Sequence, residues 1–318
     1  MPKYNYIYAF NYDGNENELC KLESKHIFNE EEKNKFLFSN IKVDPSSSAF
    51  IKKRLDIISS SEDYATLIDS IKTANISIDD FKVEYLVLDG DLTEYKERLQ
   101  KLRDIGLSIH GEPDYTNPTT FYSLCFYNGI WYFGTLIKNT FDWHNHKLKP
   151  NSFSNSITMS IGKSLINIAS KADQQKELLD TCCGVGTILL EACFAGFNIT
   201  GCDINEKTCN YARENLSHFN YIAPIYHSDI KDITKRYDAA IIDLPYNLFT
   251  KVSDDTNLHI IKSAANITNR LVIVSTLDIT DLINSIGFKL LDQCSVKKKG
   301  KKNFSRRIWV CEKINATN

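Results

Sequence analysis

What the sequence lacks narrows it first. No apolar run approaches the ~20 consecutive residues that cross a bilayer. The start, MPKYNYIYAF, has no basic segment leading into an apolar one. A cytoplasmic protein without span or secretory leader is therefore expected. No CxxC pair occurs either: the nine cysteines are odd in number, scattered from Cys20 to Cys311, and include the adjacent Cys182 and Cys183. That spacing suits neither a disulfide framework nor a zinc site, so reduced, mostly buried thiols and no metal are expected. Excess positive charge is absent as well. A net charge of −2 excludes a uniformly basic nucleic-acid coat, and any such contact must come from a local patch.

What is present is ordinary soluble material, 42% hydrophobic and 25% charged, in 318 residues that fit two domains with a core each. From about residue 178, short apolar runs alternate with amphipathic stretches, the pattern of parallel strands joined by crossover helices. LLDTCC, NITGCDI, PIYHSD, YDAAIID and LVIVST read as strands. TILLEACFA, NEKTCNYARENLSHF, a segment from Leu258 to Ile267 and one from Asp278 to Ser285 read as helices. FKLLDQCSV and RRIWVCEK leave no room for a helix between them and predict an antiparallel hairpin at the sheet edge. The first ~150 residues differ: strand-like YNYIYAF, KVEYLVL and GIWYFGTLI alternate with helical segments such as DLTEYKERLQKLRDI, an α+β pattern. His146 to Ser156 reads as a linker, and SITMSIGKSLINIA as one more helix before the sheet. The expected organisation is an α+β domain over 1–148 and an α/β, Rossmann-like domain over 149–318, with a mostly parallel sheet and a terminal antiparallel hairpin.

Three strand ends carry acidic residues. Asp180 closes the first strand, and Gly184 and Gly186 follow in a tight turn before a helix, where backbone approaches a ligand closely and free amides point outward. Asp203 closes the second strand 17 positions after Gly186, placed to accept from both hydroxyls of a ribose. Asp229 follows Ser228 at the end of the third, placed to receive an adenine amino group. Cys182 and Thr187 in the turn and Ile204 after the second strand complete the candidate cofactor set. A dinucleotide fingerprint would need a third glycine where Leu189 stands. S-adenosylmethionine has no pyrophosphate, so the shorter glycine turn suffices for it.

The fourth strand runs into Asp243, Leu244, Pro245 and Tyr246. An exocyclic amine on a nucleobase is a poor nucleophile because its lone pair is delocalised into the ring. Two acceptors, the Asp243 side chain and the Leu244 carbonyl, can hold both amine hydrogens and aim the lone pair at a methyl sulfonium. Pro245 fixes φ at about −65°, and Tyr246 can stack on an extruded base for roughly 1 to 3 kcal/mol. Alignment of this kind supplies on the order of 7 to 11 kcal/mol. The competing reading is that Asp and Pro end a buried strand and Tyr246 fills a hole.

DTCCGVGTILLEA, GCDIN, SDI and IIDLPYNL, preceded by KPNSFSNSITMSIGKSLINIA, resemble the tRNA guanine-10 2-amino methyltransferase family, over about residues 147 to 312. FLFSNIKVDPSSSAFIKKRLDII and IGLSIHGEPDYTNPTTFYSLCFYNGIWYFGTLIK are similar to the amino-terminal part of that family. The resemblance implies a THUMP-containing RNA-recruiting region joined to a Rossmann-like methyltransferase domain. It implies tRNA as the substrate, a guanine 2-amino group as the target, and a small activating protein as a partner. It places Asp180, Gly184 and Gly186 at the methionine part of the cofactor, Asp203 at the ribose, Asp229 at the adenine and Asp243 to Tyr246 at the target base. Many relatives carry proline where this chain has Leu244, although only that residue's carbonyl is needed.

Lys297, Lys298, Lys299, Lys301, Lys302, Arg306 and Arg307 crowd into the terminal hairpin with no acid among them, a candidate phosphate-contacting patch. Lys52, Lys53 and Arg54 form a smaller one, read against a plain exposed helix face. His144 and His146 form an HxH pair without further ligands nearby and read as linker surface; Trp131, Tyr132 and Phe133 read as strand core. The expected activity is methyl transfer to a guanine 2-amino group in tRNA. Its rivals are an amino methyltransferase acting on ribosomal RNA guanine or DNA adenine, and a catalytically silent RNA-binding protein.

Overall fold

The computed structural model describes residues 3–154, 156–245, 254–297 and 305–314. Two compact units emerge: Met1–Asn11 with Glu32–Pro45 and Ile51–Asn139, and Tyr12–Glu31 with Ser46–Phe50 and Thr140–Asn318. The sequence suggests one cut at 148/149. In the structure, helix α1 (Asn17–Phe28) belongs with the second unit, where it buries Leu19, Cys20, Leu22, Ile27 and Phe28.

The first unit is a six-stranded sheet of β1 (Tyr6–Phe10), β2 (Phe36–Ser39), β3 (Ile51–Ser61), β4 (Phe81–Tyr85), β5 (Thr120–Tyr127) and β6 (Ile130–Lys138), in the order β2-β1-β3-β6-β5-β4. Only β4 and β5 pair in parallel. β5 and β6 are joined through Asn128 and Gly129, both at positive φ, the twist a two-residue hairpin needs. Helices α2 (Tyr64–Thr73) and α3 (Tyr95–Gly106) add Leu67, Ile71 and Ile105 to a core with Phe81, Tyr122, Leu124, Trp131 and Phe133. Trp131 and Phe133 are thus core residues, as expected. Lys52, Lys53 and Arg54 lie on a strand rather than a helix face: Arg54 is buried against Asp56, and Lys53 faces Glu84 at 3.6 Å.

The second unit holds a seven-stranded sheet of β7 (Glu177–Asp180), β8 (Asn198–Asp203), β9 (Ile225–His227), β10 (Ala239–Asp243), β11 (Arg270–Ser275), β12 (Phe288–Lys297) and β13 (Ser305–Lys313), ordered β12-β13-β11-β10-β7-β8-β9. β7 to β11 are parallel, and β13 inserts antiparallel between β11 and the edge strand β12. Helices α4 (Met159–Ser170), α5 (Thr187–Phe194), α6 (Glu206–His218), α7 (Asp254–Ile267) and α8 (Thr280–Ser285) complete it, and α1 packs on α4 and β12. β10 and β11 read as unbroken apolar runs because the strands are buried on both faces. The chain moves outward from β7 through β8 to β9, then returns to the other side of β7 with β10. The carboxyl ends of β7 and β10 therefore flank a topological switch point, where open parallel sheets leave a crevice.

Candidate active site

The glycine turn after β7 is held by its own backbone. The Cys183 amide donates to the Cys202 carbonyl at 3.0 Å and the Gly186 amide to the Cys183 carbonyl at 2.8 Å. Gly184 and Gly186 take φ of +51° and +79°, which other residues adopt only under strain. At Gly186, which caps α5, a Cβ would also sit 3.1 Å from that of Ala212. Asp203 locks this turn to the end of β8: one carboxylate oxygen accepts from the Gly184 amide and the other from the Asn205 amide, both at 2.9 Å. Each oxygen keeps a lone pair for a ligand.

Asp180 and Asp243 provide the charge. Register sets Asp180 opposite Ile241 and Asp243 opposite Val274, so both side chains rise on one face of the sheet at its carboxyl end. Asp180 is 1% exposed, and neither of its carboxylate oxygens has a hydrogen-bond partner of normal geometry; Oδ1 of Asp243 is likewise buried and unmatched. Burial, reinforced by the charges of Asp243 and Asp203, raises the Asp180 carboxyl well above its usual range. Burial pushes the Asp243 carboxyl up, the Arg306 guanidinium offsets part of that rise, and it stands at about 7. After Asp243 the ladder continues for one residue, the Leu244 amide donating to the Val274 carbonyl at 3.1 Å, and Pro245 then turns into solvent.

These groups enclose a cavity of about 430 Å³, within the range of small-ligand pockets. Of the candidate site residues, Asp180, Cys182, Gly184, Thr187, Asp203, Asp243, Leu244 and Pro245 line it. Gly186, Ile204, Ser228 and Asp229 do not. Gly186 shapes the turn from behind, and Ile204 is exposed beside it. Ser228 ties its amide to the Asp203 carbonyl at 3.1 Å. The Asp229 carboxylate is taken by the Lys231 amide and by Nε2 of His259 on α7, each at 3.0 Å; the amide bond foremost lowers its pKa. Tyr246 lies outside the described residues.

The sequence reading passes over Phe153, Ser156 and Ile157, which form one wall of the cavity, and Asn205 and Thr208 at the start of α6. Their signal was available: an aromatic among hydroxyl and amide side chains just before a helix, and Asn at an N-cap, where its side chain accepts from Lys207 and Thr208 amides. The expected linker surface at His146 is also corrected. His146 is buried, with Nδ1 2.8 Å from Glu191 on α5, whose other oxygen lies 3.6 Å from Lys163. Among the described residues no His, Cys, Asp and Glu group is arranged to hold a metal.

The basic hairpin divides. Lys297 is exposed, and Arg307 pairs with Asp278 at 3.0 Å. Lys298, Lys299, Lys301 and Lys302 lie outside the described residues. Arg306 is not surface at all: it is 2% exposed and donates to the Ser156 carbonyl at 3.3 Å, because strand alternation in β13 turns it to the opposite side from Arg307.

A pocket with two unmatched buried carboxyls, a third carboxylate bonded to the turn, and Asn and Thr donors fits a cationic ligand bearing hydroxyls. S-adenosylmethionine, with its ammonium and sulfonium charges and its ribose, meets that description. Residues 147–299 match the model of the methyltransferase small domain. The chain is 31% identical over 107 residues to a tRNA (guanine(10)-N2)-dimethyltransferase of Methanothermobacter thermautotrophicus, a match covering 32% of this chain and 31% of that protein. The likeness thus spans about a third of the relative's length. Among solved structures it is similar to TrmN from Thermus thermophilus (TM-score 0.48, 16% identity, 97% of this chain and 99% of that one). It is also similar to a putative RNA methyltransferase from Pyrococcus horikoshii (TM-score 0.45, 16% identity, 54% and 97%). The resemblance read from the sequence is borne out as far as a methyltransferase domain over residues 147–299.

Proposed function

We propose that the chain, whose residues 147–299 match the model of the methyltransferase small domain, uses S-adenosylmethionine to methylate RNA on the exocyclic 2-amino group of guanine, with tRNA as its substrate. The observation that carries this reading is half-buried Asp243, whose Oδ1 is a buried, unmatched acceptor beside exposed Pro245, in the same cavity as the acidic wall and glycine turn. The bound cofactor supplies an electrophilic methyl group on a sulfonium. Asp180 and the amides of the turn hold its charged end, while Asp203 takes the ribose through its remaining lone pairs. Asp243 accepts one hydrogen of the target amine and the Leu244 carbonyl the other, which localises the lone pair toward the methyl group; Pro245 stiffens that pair of acceptors. After transfer the amine carries an extra proton, which an ionised Asp243 can take up.

The curated relative's name, with its guanine and tRNA, supports the substrate. We assign RNA recruitment to the first unit, in the manner of a THUMP module, with Lys297, Lys298, Lys299, Lys301, Lys302 and Arg307 as phosphate contacts and an activating protein as a further partner. Among the described residues no helix is long and apolar enough to cross a membrane. The test is incubation with methyl-labelled cofactor and, separately, total tRNA, ribosomal RNA and duplex DNA. Label in tRNA is expected; label confined to DNA overturns the RNA reading, and cofactor binding without transfer to any of them overturns the enzymatic one.

A further inference from the structure

We propose that Arg306 is the internal counter-charge of the site, a positioning residue that keeps the Asp243 carboxylate able to accept the target amine, and not a contact to RNA. The inference rests on the reading of Asp243 as an amine acceptor.

The placement follows from register. Asp243 on β10 stands opposite Val274 on β11, and Val274 opposite Ile308 on β13. Directly opposed residues share a face, and residues two apart on a strand do as well. Arg306 therefore lies on the face of Asp243. Because β13 runs antiparallel to β11, it is shifted toward the carboxyl end of the parallel strands, where the cavity opens. Its guanidinium reaches the Ser156 carbonyl at 3.3 Å, and Ser156 and Asp243 line the same cavity. At 2% exposure it cannot grip a phosphate without unpacking the hairpin.

The charges that face Asp243 explain why a cation is needed there. From β7 comes Asp180 and from β8 Asp203, both acidic, and the turn between them adds the Cys182 thiol, which burial drives upward. Arg306 arrives from β13 as the opposing charge: burial raises the Asp243 carboxyl, Arg306 lowers it, and the two together leave it at about 7. Arginine stays charged at any physiological pH, so the counter-charge cannot be switched off by the same burial. Without it Asp243 would hold its proton at neutral pH and present a hydrogen where the amine offers one.

The test is a pH titration of Asp243 by ¹³C-carboxyl NMR, assigned with D243N, in the wild type, R306Q and R306K, together with pH profiles of methyl transfer. R306Q should raise the Asp243 midpoint by about one pH unit or more. Its kcat should fall about tenfold at neutral pH and recover at alkaline pH, with KM for RNA unchanged. R306K keeps the charge but not the planar fork, so its midpoint and kcat should stay near the wild type. An unshifted midpoint in R306Q overturns the proposal, as does a rise in KM for RNA without a change in kcat. Should R306Q not fold, R306K decides alone: retained kcat with an unmoved midpoint supports the counter-charge, and lost kcat with an unmoved midpoint overturns it. The NMR arm needs no turnover, so failure of the methyltransferase reading would appear separately, as a wild type that titrates as expected but transfers nothing.

Discussion

Asp180, buried, and Asp243, half-buried, end neighbouring parallel strands at a single cavity, and each holds at least one buried carboxylate oxygen that no donor meets. Two acids so placed, with Asp203 bonded to the turn beside them, make a site whose resting state is short of positive charge. Burial raises the pKa of both carboxyls, and at Asp180 the charges of Asp243 and Asp203 add to the rise.

Cofactor binding should therefore be linked to protons. A cationic ligand favours ionised Asp180, whose pKa lies well above the usual carboxylate range before binding. Affinity for S-adenosylmethionine should strengthen as pH rises through that elevated pKa, with protons released on binding. Calorimetry in two buffers of different ionisation enthalpy would measure the release. Asp180→Asn should abolish it and weaken binding on the order of tenfold or more, as loss of a hydrogen-bonding charge does.

Stability of the ligand-free protein should show the opposite slope. A carboxyl whose folded pKa is raised binds more protons folded than unfolded, so its contribution is fully present below the ordinary value of 3.8 and is lost as pH rises through about 7. The melting temperature should fall by several degrees between pH 6 and pH 8, and Asp243→Asn should flatten that decline. Thermal denaturation across that range checks it; a wild type and Asp243→Asn with parallel curves would contradict the burial of this charge.

Gly186→Ala should cost about 1 to 3 kcal/mol of stability, since it forces a left-handed φ and a Cβ contact of 3.1 Å with Ala212. Because the turn donates through the Gly184 amide to Asp203, cofactor affinity should fall with it. Chemical denaturation and equilibrium binding on the same variant separate the two effects.

Much of this was legible in the sequence, for physical reasons that also explain what was not. The alternation from Leu178 to Cys311 announces parallel strands and crossover helices because central strands such as β10 and β11 are buried on both faces, while a helix such as α6 buries one. Asp180, Asp203 and Asp243 announce themselves by standing at strand ends, and Gly184 and Gly186 by the turn between strand and helix. Which sheet an amphipathic helix covers is not written in its period, so α1 gives no sign that it belongs to the second unit. His146 finds Glu191 some 45 residues away, and His259 reaches Asp229 across 30; neither pairing leaves a local mark. Arg306 was misread because a run of basic residues masks strand alternation. Its neighbour Arg307 faces out to Asp278 while Arg306 turns inward.

The central claim, that Asp243 and its neighbouring carbonyl grip a guanine 2-amino group, is tested most directly by nucleoside mass spectrometry. tRNA lacking the modification would be treated with wild type or Asp243→Ala at saturating S-adenosylmethionine. The account predicts N2-methylated guanosine with the wild type and a loss on the order of 10²-fold or more with Asp243→Ala, while that variant still binds the cofactor. Methylation of a different base by the wild type, or undiminished guanosine methylation by Asp243→Ala, would contradict it.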